Sequence, residues 1–372
     1  MSADEEAVGS RVLIIGQLPP PIHGSSAMTR LLADRLAGAG YTVDVVSKDL
    51  SRSASEIGSV TPRKLLRAFG SIRRIRRAVK RGAPDVCVFF VSNRLASFLL
   101  DCKIAAWLRR RRLPYISYIH ANGYAALARR SPWLGSQVQT LLGGSHAVVV
   151  LGEAMKPDVL PFTEDAIAIP NAVPDVAGDY PPESRRAQRV TFMSNLLPEK
   201  GADAFISLAA ALHASHPDAE FIVAGTTSDQ GYLSSLQDRA SEYGLGDNLR
   251  FTGHVSGDKK WRLLASTDVF VFPSTYPLEA QPLTVVEAMS MSIPVVAYDT
   301  GGLADLVPPC TGRLVRPGDI GGLVTAVAEL LSDVDLCRAS RKESREAYER
   351  NHSVEAFTHS WRSLLARVVS RG

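Results

Sequence analysis

Two carboxylates eight residues apart, Glu279 and Glu287, stand in the stretch Pro273–Ser292 (PSTYPLEAQPLTVVEAMSMS). On one uninterrupted helix they would project about 80° apart and two turns from each other, at about 100° per residue. Pro277 and Pro282 rule out that helix, because proline lacks the N–H and clashes with the turn before it. The spacing therefore predicts a loop carrying Glu279, followed by a helix that opens near Pro282 and carries Glu287. Proline suits the first helical turn, where its missing N–H would have had no partner. The amides of Leu283 and Thr284 would then point out of a helix N-terminus, which favours an anion such as a diphosphate. Carboxylates accept hydrogen bonds from hydroxyls. A pair flanking an anion site suits a ligand with hydroxyls at both ends and phosphates between, as in a nucleotide sugar. As a bare spaced pair, the same two acids also fit solvated groups at a helix start.

The elements that must position these groups follow a repeating pattern. Arg11–Gly16, Tyr41–Ser47, Asp85–Val91, Tyr115–His120, Ala147–Gly152 and Ala166–Pro170 have strand composition, with helical stretches between the earlier ones. The rhythm restarts with Arg189–Ser194, Glu220–Gly225, Asn248–Gly253, Asp268–Phe272 and Ile293–Tyr298. Two alternating halves predict an α/β chain of two Rossmann-like, doubly wound parallel-sheet domains. The expected division is 1–174, a linker at 175–188 rich in proline and charge, and 189–352, with a terminal helix over 353–372 packing back onto the first domain. The distinctive loops all follow predicted strands: Gly24, His120, Asn195–Gly201, Gly225–Ser228 and the Glu279 loop. In open α/β sheets that is the ligand-binding edge, and two such domains facing each other would line a cleft.

Composition narrows the classes further. At 372 residues with 45% apolar content, the chain is long enough for two ordinary domains. Cys87, Cys102, Cys310 and Cys337 show no metal-type spacing and read as thiols of a reducing compartment. No apolar run reaches the roughly 18–20 residues of a membrane span, and the acidic start MSADEEAVGS is unlike a signal peptide, so a cytoplasmic location is expected. Residues 1–178 carry 23 Lys and Arg against 14 Asp and Glu, a net +9, leaving the remainder at −5. A basic first half suggests an anionic partner.

The order of these parts resembles the retaining glycosyltransferases of the GT-B fold marked by an E-x7-E signature, the group 1, family 4 type. The likeness rests on the Pro/Gly loop near the N-terminus, His120, Asn171–Val173, Leu196–Gly201 (LLPEKG) and Phe251–His254 (FTGH). It continues through Asp268–Ser274, the Glu279/Glu287 pair, Glu287–Met289 (EAM), Ile293–Ala297 (IPVVA) and Thr311–Val315 (TGRLV). The resemblance implies that Lys200 contacts the donor diphosphate and Glu287 the ribose hydroxyls. Glu279, with Ala280, Gln281, Leu283 and Thr284, would hold the sugar and diphosphate. Gly24 and Ser25 would lie against the donor phosphates, Asn195 and Gly225 would border the donor, and His120 would sit at the sugar on the acceptor side. The family usually has a Gly-Arg pair where this chain has Ser194 and Asn195. That removes a bidentate phosphate donor and calls for a substitute cation or predicts a weaker enzyme. The loop's usual second glycine is Ser25, a milder change.

The function implied is transfer of a sugar from a UDP- or GDP-sugar to a glycan or lipid-linked acceptor hydroxyl, with retention, in cell-surface glycan or glycolipid synthesis. A sugar-nucleotide epimerase of the same fold and a non-catalytic nucleotide-sugar binder are the alternatives. No metal or other cofactor is expected, since Asp333-x-Asp335 lies between helical stretches and reads as a helix cap. His23 and His254 read as exposed loop residues, whereas His120 fits either a satisfied core group or a functional one. Arg63–Arg81 carries nine cations and no acid, with Leu65, Phe69, Ile72, Ile75 and Val79 at helical spacing. It fits either the solvated face of a sheet-covering helix or a surface for anionic lipid at the inner face of the plasma membrane, and Arg109–Arg112 adds to the second reading. No nucleic-acid module accompanies this charge.

Overall fold

The computed structural model describes residues 9–20, 24–48, 62–181 and 188–370, with side chains in the helix Pro62–Gly82 described from Gly70 onward. His23, Thr61, Leu65 and Phe69, together with Arg63, Lys64 and Arg67 as side chains, lie outside that set. The chain divides into two compact units, Met1–Asn171 with Glu355–Gly372, and Ala172–Val354.

The first unit runs β1 (Arg11–Gly16), α1 (Gly24–Gly38), β2 (Thr42–Ser47), α2 (Pro62–Gly82), β3 (Val86–Val91), α3 (Leu95–Arg110), β4 (Tyr115–Ile119), α4 (Tyr124–Arg129), α5 (Pro132–Leu142), β5 (Ala147–Val150), α6 (Lys156–Val159) and β6 (Ala166–Ala168). Its six strands are parallel in the order β2-β1-β3-β4-β5-β6. Strands β3, β4 and β5 are buried at every residue. Continuous apolar runs such as VCVFFV form strands of this kind, because helices cover both faces of a parallel sheet.

The second unit runs β7 (Arg189–Met193), α7 (Ala202–His213), β8 (Glu220–Ala224), α8 (Gln230–Glu242), β9 (Leu249–Gly253), α9 (Gly257–Ala265), β10 (Val269–Phe272), α10 (Leu283–Ser290), β11 (Val295–Tyr298), α11 (Leu303–Leu306), β12 (Gly312–Val315), α12 (Ile320–Ser332) and α13 (Val334–Asn351). The parallel order is β12-β11-β10-β7-β8-β9. A last helix, α14 (Val354–Val369), belongs almost wholly to the first unit. Its Trp361 is fully buried and meets the Tyr118 ring edge-on at 4.9 Å.

In the first sheet the strand order reverses between β1 and β3, and in the second between β7 and β10. Loops leaving adjacent strands at such a point diverge to opposite faces and open a crevice at the carboxyl ends. The Lys200 loop follows β7 and the Glu279 loop follows β10, so both loops border that crevice.

Two expectations differ from what is observed. The stretch expected as a linker, 175–188, belongs in its described part to the second unit. The Arg345 guanidinium donates to Asp175 at 2.9 Å, and Val176, Ala177 and Tyr180 pack on the core around Phe272 and Tyr348. Strand β12 was not anticipated, because Gly312 and Arg313 interrupt the apolar pattern in TGRLV. It forms because Gly312 lets the chain press against β11: a Cβ there would lie 1.9 Å from the Val295 carbonyl oxygen. Gly312→Ala should therefore cost about 2 kcal/mol or more of stability, read as a lowered denaturation midpoint of the second unit. An unchanged midpoint would contradict this packing.

Candidate functional site

Glu279 is held in its loop from several sides. The chain turns after β10 through Pro273 and Ser274, and the Glu279 amide donates to the Tyr276 carbonyl at 3.0 Å. The carboxylate is largely buried and accepts from Lys200 Nζ at 2.5 Å, with Ser274 Oγ at 3.0 Å from the same oxygen. Lys200 closes the short 3-10 turn Pro198–Lys200 after β7, and its amine lies over the Tyr276 ring, 4.8 Å from the centroid. Gly201 follows with φ +81°, and a Cβ there would sit 2.0 Å from the Pro273 carbonyl oxygen. The two loops of the switch point thus touch through backbone as well as through the Lys200–Glu279 ion pair.

A second glycine contact supports Glu279 from behind. The Gly302 amide donates to the Glu279 carbonyl at 3.0 Å. A Cβ on Gly301 would lie 2.0 Å from the Glu279 oxygen, and one on Gly302 2.0 Å from that of Ala280. Only a glycine pair lets the loop after β11 press this closely on the Glu279 loop. This pair was not singled out from the sequence, although two glycines directly after a strand are a recognisable turn signal.

Helix α10 begins at Leu283, with Pro282 as the preceding N-cap residue rather than a member of the first turn. The first bonds back to Pro282 come from Val285 at 3.1 Å and Val286 at 3.4 Å. The amides of Leu283 and Thr284 lie ahead of them, as the helix geometry requires. Glu287 is in the second turn, and its carboxylate meets Lys260 Nζ from α9 at 2.5 Å. Burial pushes the Glu287 carboxyl above the usual carboxylate range, and the Lys260 charge and hydrogen bond oppose that rise. The sequence offered no signal for Lys260, since the pair joins residues on different helices.

The remaining expected residues fall into distinct places. Asn195 is exposed in the loop after β7. Gly225 follows β8 with φ +152°, and a Cβ there would lie 1.8 Å from the Ser194 carbonyl oxygen, so the contact between the β7 and β8 loops itself requires glycine. Ala280 and Gln281 are buried in the Glu279 loop. In the first unit, Gly24 opens α1 rather than lying in the loop before it, with nothing within 4 Å of a notional Cβ. Ser25 is next in that helix, its carbonyl accepting from Thr29 Oγ1 at 2.8 Å. His120 follows β4, its ring stacked on Phe90 at 5.2 Å and tilted against Tyr118 at 4.3 Å. Asp333 caps α13, accepting from the Asp335 and Leu336 amides, so Asp333-x-Asp335 is committed to the helix start.

Two parallel sheets, each covered by helices, place the fold in the two-domain α/β class, with the Lys200–Glu279 and Lys260–Glu287 pairs in its second unit. Residues 182–347 match the family model described as glycosyl transferases group 1, and residues 22–176 that of glycosyltransferase family 4. The chain belongs to the group 1 glycosyltransferases, with the two-domain GT-B fold. Over 182 residues it is 30% identical to the GDP-mannose-dependent monoacylated alpha-(1-6)-phosphatidylinositol monomannoside mannosyltransferase of Corynebacterium glutamicum, a match covering 48% of this chain and 45% of that protein. The chain spans less than half the length of the curated relatives it matches first. Among solved structures it is similar to the sucrose-phosphate synthase of Thermosynechococcus elongatus, with a TM-score of 0.77 at 18% identity, covering 98% of this chain and 100% of that one. It is also similar to HepE of Anabaena in complex with UDP-glucose, with a TM-score of 0.70 at 17% identity, covering 97% and 100% of the two chains.

The Glu287–Lys260 pair gives a test by titration. Because the folded carboxyl pKa lies above the unfolded one, the folded state binds more protons between the two values. This group's contribution to stability therefore falls as pH rises through that window. Lys260→Met should move the Glu287 midpoint further upward, read by NMR of isotope-labelled glutamate carboxyls. A midpoint that stays in place would show that Lys260 does not govern this carboxylate.

Proposed function

We propose that this protein is a retaining glycosyltransferase that moves a sugar from a nucleoside diphosphate sugar to an acceptor hydroxyl. The observation that carries the reading is the Lys200–Glu279 pair at the switch point of the second sheet, with the α10 N-terminus next along the same loop. In this reading Lys200 turns from Glu279 to the donor diphosphate, where a flexible cation can follow the leaving group. The amides of Leu283 and Thr284 supply further positive dipole to the developing charge. Glu279, Ala280 and Gln281 hold the sugar, and Glu287 accepts from the ribose hydroxyls. Lys260, paired with Glu287, adds a cation at the ribose end of the donor. Gly24 and Ser25 serve the donor phosphates, Asn195 and Gly225 border the donor, and His120 lies on the acceptor side of the sugar.

The chemistry follows from this assignment. The bond from the anomeric carbon to the diphosphate oxygen breaks, and the acceptor oxygen forms its bond on the same face. The acceptor proton passes to the departing phosphate oxygen, so no separate base and no metal is required. A UDP-sugar is supported by the likeness to HepE and a GDP-sugar by the likeness to the Corynebacterium mannosyltransferase. A glycan or lipid-linked acceptor accords with the latter. A melting-point panel with UDP, GDP, ADP and their sugars separates the donors, because a tight ligand raises the midpoint by mass action.

Glu279→Gln should lower transfer by about a hundredfold or more, comparable to losing one transition-state hydrogen-bonding group, while nucleotide affinity changes little. Transfer at the normal rate would sink the assignment. Release of free nucleoside diphosphate only when acceptor is present separates transfer from epimerisation and from simple binding.

The basic face of the first unit supports a location at the cytoplasmic side of a membrane. Arg73, Arg74, Arg76, Arg77, Lys80 and Arg81 are exposed on α2. The guanidiniums of Arg76 and Arg111 lie over the Trp107 ring at 5.8 and 5.7 Å, which joins this cluster to the end of α3. Among the described residues no helix is long and apolar enough to cross a membrane; the association proposed is peripheral, through this basic face. Binding to vesicles containing anionic phosphatidylglycerol should fall steeply between low salt and about 0.5 M, where the screening length is only a few ångströms. Salt-independent binding would contradict an electrostatic attachment.

A further inference from the structure

Lys48 and Asp101 form an ion pair buried in the first unit, outside the groups assigned above. Lys48 Nζ lies 2.6 and 2.7 Å from the two Asp101 carboxylate oxygens, and both residues are buried, Asp101 completely. Burial pushes the Asp101 carboxyl up, against the lowering effect of Lys48. Such pairs are weak devices for stability alone, because the cost of desolvating both charges offsets much of their attraction. What distinguishes this one is its surroundings. Lys48 immediately follows β2, and its amide donates to the Gly16 carbonyl at 2.9 Å, at the end of β1. Asp101 Oδ2 also accepts from the amide of Ser92 at 2.9 Å, the first residue past β3. The pair therefore sits beneath the strand ends that flank the switch point of the first sheet.

From Ser92 the connection continues to the next loop. Ser92 Oγ accepts from the Arg94 amide at 3.3 Å, which shapes the turn into α3. Between them, Asn93 Nδ2 donates to the Asn122 carbonyl, two residues beyond His120. The far side of that loop is fixed separately, by Asp158 accepting from the amides of Gly123, Tyr124 and Ala125 at 2.7 to 2.9 Å. Phe90, two residues before Ser92, carries the stacked His120 ring.

We propose that Lys48 and Asp101 are positioning residues that fix the loop carrying His120, acting through Ser92 and Asn93. The consequence for sugar transfer rests on the functional reading above, whereas the positioning itself does not. A carboxylate can accept from the Ser92 amide and Lys48 at once. An apolar pair of the same volume would fill the space but leave that amide without its acceptor.

The test is the double variant Lys48→Met with Asp101→Leu, compared with Asn93→Ala, which leaves the core intact. In the double variant, amide hydrogen exchange at residues 92–94 and 120–125 should quicken by about tenfold or more, the sign of cheaper local opening. In Asn93→Ala the same should hold at 120–125. Nucleotide affinity and the donor KM should stay unchanged, while kcat/KM for the acceptor falls by about tenfold, as expected when a reacting geometry loosens. Wild-type exchange rates at 120–125 in either variant would overturn the proposal. If the double variant fails to fold, Asn93→Ala decides alone. Exchange is read without substrate, so a chain that transfers no sugar would refute the functional reading and leave this result standing.

Discussion

Contact between the loops that leave β7 and β10 is the constraint on which the second unit's site depends. Its sheet changes direction between these two strands, so their loops leave side by side at the carboxyl edge. There Gly201 approaches the Pro273 carbonyl, and Lys200 meets Glu279 across the same gap. A side chain at Gly201 would push the two loops, and with them the charges, apart. The ion pair is thus a product of backbone packing more than a cause of it, since a largely buried pair contributes little net stability.

The same logic recurs around it. Gly225 brings the β8 loop onto Ser194, and Gly301 and Gly302 bring the β11 loop onto Glu279 and Ala280. Four loops, those after β7, β8, β10 and β11, therefore meet without side chains between them, which leaves Glu279 little freedom. Pre-organisation of this kind lowers the entropy cost of holding a ligand. The first unit achieves an equivalent result by other means. There the strand-end loops are joined by hydrogen bonds to the carboxylates of Asp101 and Asp158 and by an asparagine-to-backbone bond.

Much of this was legible in the sequence because it is encoded locally. Apolar runs such as DVFVF and DVCVFFV mark buried parallel strands, and the prolines at 277 and 282 separate the Glu279 loop from the Glu287 helix. The family likeness rested on several short motifs in order, and the two family models cover most of the chain. The partners of the two glutamates were not legible. Lys260 and Glu287 are on separate helices, and nothing in a run of two lysines indicates which one turns inward. Strand β12 was hidden for a related reason, since its register depends on Gly312 fitting beneath Val295.

By itself the sequence determined the alternation of strands and helices, the break at Pro282 and the family. Each follows from periodicity, backbone chemistry or short motifs that need only neighbouring residues. The tertiary structure decided which strands lie adjacent, and therefore which loops meet. It placed Lys200 on Glu279, Lys260 on Glu287, and Lys48 beneath the loops of the first sheet on Asp101. Those pairings depend on strand order and close backbone approach across dozens of residues, a relation that no local pattern carries.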